Sequence, residues 1–322
     1  MHPITAAAPL SRTDMRDAFI NVLYDIARAD RSVVMLSNDF GAPGLDRFRA
    51  EMPEQFINAA ISEQNMISTA AGMAMAGRKV VVYSIAGFLT LRALEQVKID
   101  LCVMKTPVLL LGVGSGYAYS VDGPTHHATE DIAVMRSLAN LTLFSPSEPA
   151  QAAALAPLIT DLRGPHYVRL DRGRWPILGE SDPGLGVRSV RAEGELALVA
   201  TGIMVHRALE VAALLAGQGI SARVIDLFRL KPVPVEALTG LLDGVTAVAT
   251  LEEHGLCGGL GGLIAETIAD AELGLPLKRF GIPDDQLYAY GERARLHAAR
   301  GLDAASVAAT LLDWLAGRKG GR

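Results

Sequence analysis

A chain of 322 residues is long for one domain and comfortable for two. Half of it is hydrophobic and a fifth charged, which allows a sizeable core and excludes a disordered chain. The net charge of -5 argues against nucleic acid as the main partner, and no run reaches the ~18 uncharged apolar residues of a membrane span. The two cysteines, Cys102 and Cys257, are far apart and form neither a disulfide framework nor a metal knuckle. With a short N-terminus that lacks a basic-then-apolar leader, they lead us to expect a cytoplasmic protein.

In chain order the pattern predicts a tail over 1–12, an amphipathic helix from Asp14 to Ala29 and a buried strand from Val33 to Ser37. A Gly/Pro loop from Gly41 to Gly44 leads to a short strand, Phe56 to Ala59, and then to a helix opening at Glu63. Next come strand Val80 to Tyr83, helix Leu89 to Met104 and strand Pro107 to Val113. A glycine-rich loop over Gly112 to Gly123 precedes a helix near Glu130. Strand Leu141 to Phe144, helix Glu148 to Thr160 and strand His166 to Leu170 close this half. Continuous Val/Leu/Ile strands between helices predict a mostly parallel sheet covered on both faces.

Glycine and proline punctuate 173–191, which we read as a linker. A second set follows: strands Leu196 to Ala200, Ala222 to Asp226 and Val245 to Leu251, with helices Met204 to Gln218 and Ala304 to Leu315. A turn of Gly255, Gly258, Gly259, Gly261 and Gly262 opens another helix. The expected fold is therefore α/β in two domains, 13–172 and 192–318, each a mostly parallel sheet covered by helices.

The helix opening at Glu63 carries no other charge before Arg78, and its small side chains suit packing on all sides. Ser62 is a plausible N-cap, and Glu63 faces the positive end of the helix dipole. A buried carboxylate, however, needs a partner or a proton, and the stretch itself offers no base. Two loops after strand ends stand where open parallel sheets bind ligands: Tyr83 to Phe88, and Asp122-Gly123-Pro124-Thr125-His126-His127 with Glu130 and Asp131 behind it. Adjacent histidines converge poorly on one ion, which weakens a metal reading, and a turn with Thr125 as a cap stands beside it. There is no nucleophile elbow, dinucleotide fingerprint or Walker loop. The glycines at 258–262 could hold an anion or serve only close packing.

Together these residues resemble the C-terminal half of a transketolase, over roughly Thr13 to Arg318: the pyrimidine-binding domain (13–172) and the C-terminal-like domain (192–318). Ile61-Ser62-Glu63-Gln64-Asn65 resembles the segment bearing that family's thiamine diphosphate glutamate. Phe88, with Tyr83 near it, lies where the family sets aromatics against the aminopyrimidine. Asp122-Gly123-Pro124-Thr125-His126 is the most specific match. Arg169-Leu170-Asp171-Arg172-Gly173 is similar to the family's arginine segment, and Glu252-Glu253-His254-Gly255 to its C-terminal domain. The resemblance implies that Glu63 and His126 are catalytic, that Glu63, Phe88 and Tyr83 hold the cofactor, and that Asp122, His126 and Arg172 bind substrate. No metal ligand is expected on this chain, and His127 is left as a loop-stabilising donor.

The Gly-Asp-Gly segment that holds the diphosphate and Mg2+ in that family has no counterpart, Asp243-Gly244 lacking the preceding glycine. The expectation is one subunit of a split transketolase, inactive without an N-terminal partner that holds the diphosphate and Mg2+. It would form a heterotetramer in which two copies of this chain touch, with sugar or sugar-phosphate substrates. Val121 stands where the family has an acid, and Ser115 where it has a histidine, which leaves donor and acceptor open. The alternatives are the β subunit of a 2-oxoacid dehydrogenase, a fragment of a 1-deoxyxylulose-phosphate synthase, and a non-catalytic scaffold of the same fold. The Asp-Gly-Pro-Thr-His string favours transketolase.

Overall fold

The computed structural model describes residues 13–38 and 41–319, so the tail expected over 1–12 lies outside the described residues. The first half runs α1 (Met15–Ala29), β1 (Val33–Ser37), α2 (Pro43–Glu51), β2 (Phe56–Asn58), α3 (Glu63–Met75) and β3 (Lys79–Ile85). It continues through a helical stretch over 88–103 that contains α4 (Leu94–Gln96), then β4 (Val108–Val113), α5 (Asp131–Ser137), β5 (Thr142–Phe144), α6 (Pro149–Leu155) and β6 (His166–Leu170). The second half runs β7 (Val187–Arg191), β8 (Leu196–Ala200), α7 (Met204–Ala216), β9 (Ala222–Leu227), β10 (Arg229–Lys231) and α8 (Val235–Leu241). It closes with β11 (Ala247–Gly255), α9 (Leu260–Asp270), β12 (Leu277–Ile282), α10 (Arg293–Ala299) and α11 (Ala304–Lys319).

Two sheets result, with orders β10-β5-β6-β4-β3-β1-β2 and β12-β11-β8-β9-β7. Both are parallel except at one edge each, where β10 and β7 run antiparallel. The central strands are apolar on both faces, and their period of two sorts the side chains. Val34, Leu36, Val80, Val82, Val108 and Leu110 pack under α3 and the 88–103 helix. Val33, Met35, Val81, Tyr83, Leu109 and Leu111 pack under α1, α2 and α6. Fully burying each such side chain contributes about 1.5–3 kcal/mol, so a slip of one residue in register would be strongly resisted.

Four expectations need correction. The linker over 173–191 contains β7, an edge strand of the second sheet. The division near residue 172 is also not clean, because β10 returns from the second half to pair with β5 of the first sheet. The helix expected over 89–104 is wound in wide π-type turns over 88–92 and 97–103, with one α turn between them. Finally, α3 is not enclosed on all sides: Gln64, Asn65, Ser68, Thr69, Gly72 and Met75 are exposed along one face.

Candidate functional site

Glu63 opens α3 and is 2 % exposed. Ser62 stands at the N-cap position, but its hydroxyl donates to the Ala59 carbonyl instead of capping the helix. The approach is tight: Ala60 has φ of +52°, left-handed for a residue with a Cβ, and its N–H donates to Asn58 Oδ1 at 2.9 Å. The base that Glu63 lacks in its own segment comes from 29 residues on. Arg92 Nη1 donates to Glu63 Oε2 at 2.8 Å.

Arg92 ends the wide turn that Phe88 begins, so the two side chains share a face. The guanidinium carbon sits 4.4 Å from the centroid of the Phe88 ring. Phe88 is half-buried, and its other neighbour is the His126 imidazole, edge-on at 5.1 Å between centroids. His126 Nδ1 meets Thr125 Oγ1 at 2.9 Å. Tyr119 lies 6.0 Å from His126, and the Arg172 guanidinium lies 4.8 Å from the Tyr119 ring. Burial pushes the Tyr119 phenol up to about 12. The six side chains make one row: Glu63, Arg92, Phe88, His126, Tyr119, Arg172. Asp122 is exposed beside it, its N–H bonded to the Tyr119 carbonyl.

Backbone freedom shapes the loop that carries the middle of the row. At Gly114, φ is +91°, and a Cβ would come within 2.0 Å of the Tyr119 ring. At Gly116, φ is +53°, and a Cβ would meet the Glu253 carboxylate at 2.2 Å. The glycine-rich loop is therefore a close-packing device between Tyr119 and the second domain.

The second domain holds that loop from behind. Arg293 donates to both oxygens of Asp171 at 2.8 and 2.6 Å, to the Ser115 carbonyl at 3.1 Å and to Glu253 Oε1 at 2.8 Å. Ser115 Oγ donates to Asp171 at 2.5 Å, and His297 bonds Glu253. Although burial alone would raise it, the Arg293 guanidinium and His297 hold the Glu253 carboxyl well below the usual range. Arg169 donates to Asp131 at 2.8 Å and to the Ala128 and Glu253 carbonyls at 3.1 Å, fixing the loop's other end. The glycines at 258–262 receive an internal anion: the Leu260 and Gly261 N–H groups donate to Glu252 at 2.6 and 2.8 Å. Burial lifts that carboxyl to about 7.

Glu63, Phe88, His126 and Arg172 are thus brought together, with Asp122 at the rim. Tyr83 is not with them. It is fully buried on the α1 face of the sheet, because its place in β3 turns it away from Phe88. The assignment of His127 as a loop donor also fails. It is 3 % exposed, its ring is edge-on to Tyr117 at 4.8 Å, and neither nitrogen has a hydrogen-bond partner among the described residues. Asp131 turns away to Arg169, so His126, His127 and Asp131 diverge. Sequence reasoning missed Arg92 and Tyr119 as members of the row. The four-residue spacing from Phe88 to Arg92 was the available signal for the first.

Chemically, one end of the row offers a carboxylate and a ring face, suited to a flat heteroaromatic group. The middle offers an imidazole, and the far end a guanidinium with no carboxylate partner among the described residues, suited to an anion.

Comparison with known proteins gives this arrangement a family. The model of the transketolase pyrimidine-binding domain matches residues 11–176, and that of the transketolase C-terminal domain matches residues 186–307. One of the subunits of the apulose-4-phosphate transketolase of Phocaeicola vulgatus is 35% identical over 305 residues, covering 93% of this chain and 97% of the relative. The 6-deoxy-6-sulfo-D-fructose transketolase subunit SqwH of a Clostridium species is 35% identical over 274 residues, covering 84% and 85%. A solved structure described as a split gene transketolase, inactive beta4 tetramer, matches with a TM-score of 0.81 and 31% identity, covering 93% of this chain and 97% of that one. A Pichia stipitis transketolase matches with a TM-score of 0.79 at 21% identity; the chain spans 46% of its length, and this likeness concerns the fold alone. The chain belongs to the transketolase family, as a C-terminal subunit of the split kind.

Proposed function

We propose that this chain is the C-terminal subunit of a thiamine-diphosphate-dependent transketolase. It would move a two-carbon ketol unit from a ketose or ketose phosphate to an aldose or aldose phosphate, in a complex with an N-terminal partner subunit. The observation that carries this reading is the row from Glu63 to Arg172. A buried carboxylate 2.8 Å from a displaceable cation, beside a half-buried phenyl face, fits the aminopyrimidine end of the cofactor. We assign the diphosphate and Mg2+ to the partner, because this sequence lacks the Gly-Asp-Gly segment that the resemblance would require for them.

Thiamine diphosphate, when bound, supplies the carbanion stabilisation on which ketol transfer depends. This chain's residues do the rest. Glu63 holds a proton at the pyrimidine nitrogen N1′, kept from water by its burial. Phe88 stacks on the ring, and Tyr83 supports the sheet beneath. His126 moves protons at the hydroxyls of the transferred unit. Asp122 accepts a hydrogen bond from the sugar C2 hydroxyl. Arg172, exposed and set against the Tyr119 ring, receives a distal anion. The two relatives named for a sugar phosphate and a sulfosugar support that last role.

The uncharged exposed face of α3, with Met75 at 67 % exposure and Ile61 just before the helix at 76 %, supports docking within a heterotetramer in which two copies of this chain meet. Among the described residues no helix is long and apolar enough to cross a membrane. The test is reconstitution with the N-terminal partner, assayed with phosphorylated ketose donors. Transfer of a two-carbon unit to an aldose is expected. Oxidative decarboxylation of a 2-oxoacid onto a lipoyl carrier would instead make this a dehydrogenase β subunit.

A further inference from the structure

Arg92 occupies both features that the pyrimidine needs. Its guanidinium is planar, lies 4.4 Å from the Phe88 centroid and donates to Glu63 at 2.8 Å, the arrangement a flat nitrogen heterocycle would adopt. Its side chain is 44% exposed while that of Glu63 is 3% exposed, so the arginine has an open path outward and the carboxylate has none. One carboxyl group cannot serve both partners in the same protonation state. The ion pair needs the carboxylate ionised, whereas a hydrogen bond donated to a ring nitrogen needs it protonated.

Building on the cofactor reading above, we propose that Arg92 is a positioning residue, the displaceable counter-ion of Glu63. It neutralises the buried carboxylate and covers the Phe88 face before the pyrimidine arrives. The pyrimidine then turns it outward, and Glu63 takes a proton from solvent as its counter-ion leaves. Cofactor binding and protonation of Glu63 become one event.

The charged surroundings point to Arg92 as the only charge that meets Glu63 among the described residues. The strands packed against α3 carry Lys79 alone, at the far end of β3 and paired with Asp30 at 2.8 Å. The 88–103 helix carries Arg92, Glu95, Lys98 and Asp100, and Asp100 accepts from Ser68 Oγ at 2.6 Å. His126, on the far side of Phe88, meets Thr125. Arg92 is also the only one of these groups to lie over the Phe88 ring.

The test is calorimetric titration of thiamine diphosphate with Mg2+ into the reconstituted complex near pH 7, in two buffers of different ionisation enthalpy. The wild type should take up about one proton per site. Arg92→Gln, which removes the charge at a half-exposed position, should take up markedly less and bind about threefold to tenfold more tightly, having lost a competitor. Uptake unchanged by the substitution, or weaker binding by Arg92→Gln, would make Arg92 an ordinary contact and overturn the proposal. Because the wild-type protonation balance is itself a readout, a poorly folding variant leaves the test intact: binding without proton uptake overturns it alone. Absence of cofactor binding by the wild-type complex would instead overturn the transketolase reading on which it rests.

Discussion

Two sets of charged side chains grip the same loop, residues 112–127, and they differ in what they have left to give. Behind the loop, Arg293 is bonded to two carboxylates and a carbonyl, and Glu253 accepts from both Arg293 and His297. In front of it, among the described residues, Arg172 meets a tyrosine ring, His126 meets Thr125 and the rings of Phe88 and Tyr119, and Asp122 stands exposed. The residue types are the same in both sets. The rear set uses its bonding capacity to join two domains; the front set keeps its own, and capacity kept at an exposed row is what a substrate can use. Charge and burial alone would have ranked them the other way.

The largest effect that sharpens this contrast belongs to Glu63→Gln in the reconstituted complex. The amide cannot hold the proton at N1′, so ketol transfer and exchange of the cofactor C2 hydrogen should slow by roughly 10²–10⁴-fold. Thermal stability should fall by no more than about 1–2 kcal/mol, the worth of a first-turn dipole contact together with the half-exposed ion pair to Arg92. Fast exchange with only that small stability loss would return Glu63 to the role of a helix-start residue.

In the rear set the effect should fall on stability. Arg293→Met leaves Glu253 and Asp171 as buried charges without their partner, at a cost of about 3–5 kcal/mol, read from the denaturant midpoint. A loss below 1 kcal/mol would mean that the two sets are not distinguished by how fully they are bonded.

Arg172→Ala comes next. Losing a charge-assisted contact of about 1.5–3 kcal/mol should weaken phosphorylated ketoses by roughly 10–100-fold and their unphosphorylated analogues little. Equal losses for both would remove Arg172 from the anion site.

The smallest effect is at His127, buried in front-set sequence and without a hydrogen-bond partner among the described residues. His127→Phe should change stability at pH 7 by less than about 1 kcal/mol, since no hydrogen bond is lost. Burial pushes the His127 imidazole below its ordinary value of 6.5, so the unfolded chain binds more protons there. Stability must fall as pH drops below 6.5, and His127→Phe should make that fall shallower. An unchanged acid limb, measured by melting temperature against pH, would contradict the assignment.

Much of this could be read from the chain. The strands Val33–Ser37, His166–Leu170 and Leu196–Ala200 match their expected limits, the first and last because each is almost wholly apolar. The two antiparallel edge strands were invisible: β7 and β10 mix apolar residues with arginine or lysine and read as linker or loop. Pro43 signalled a loop but sits in the first turn of α2, where its missing N–H costs nothing. Glu63, Phe88, Asp122, His126 and Arg172 were singled out by their local strings, and the fold sets them in or beside one row. Arg92 was missed as the partner of Glu63 because the pairing spans 29 residues and needs α3 and the 88–103 helix side by side. Tyr83 was misplaced because loop proximity was weighed over strand period, and the period decided which face it took.

The central claim is that this chain carries one end of a cofactor site and that a partner completes it. Calorimetry tests it most directly, with thiamine diphosphate and Mg2+ titrated into the chain alone and into the chain mixed with its N-terminal partner. The account predicts saturable binding by the mixture and none by the chain alone over the same concentrations. Tight, saturable binding by the chain alone would contradict it.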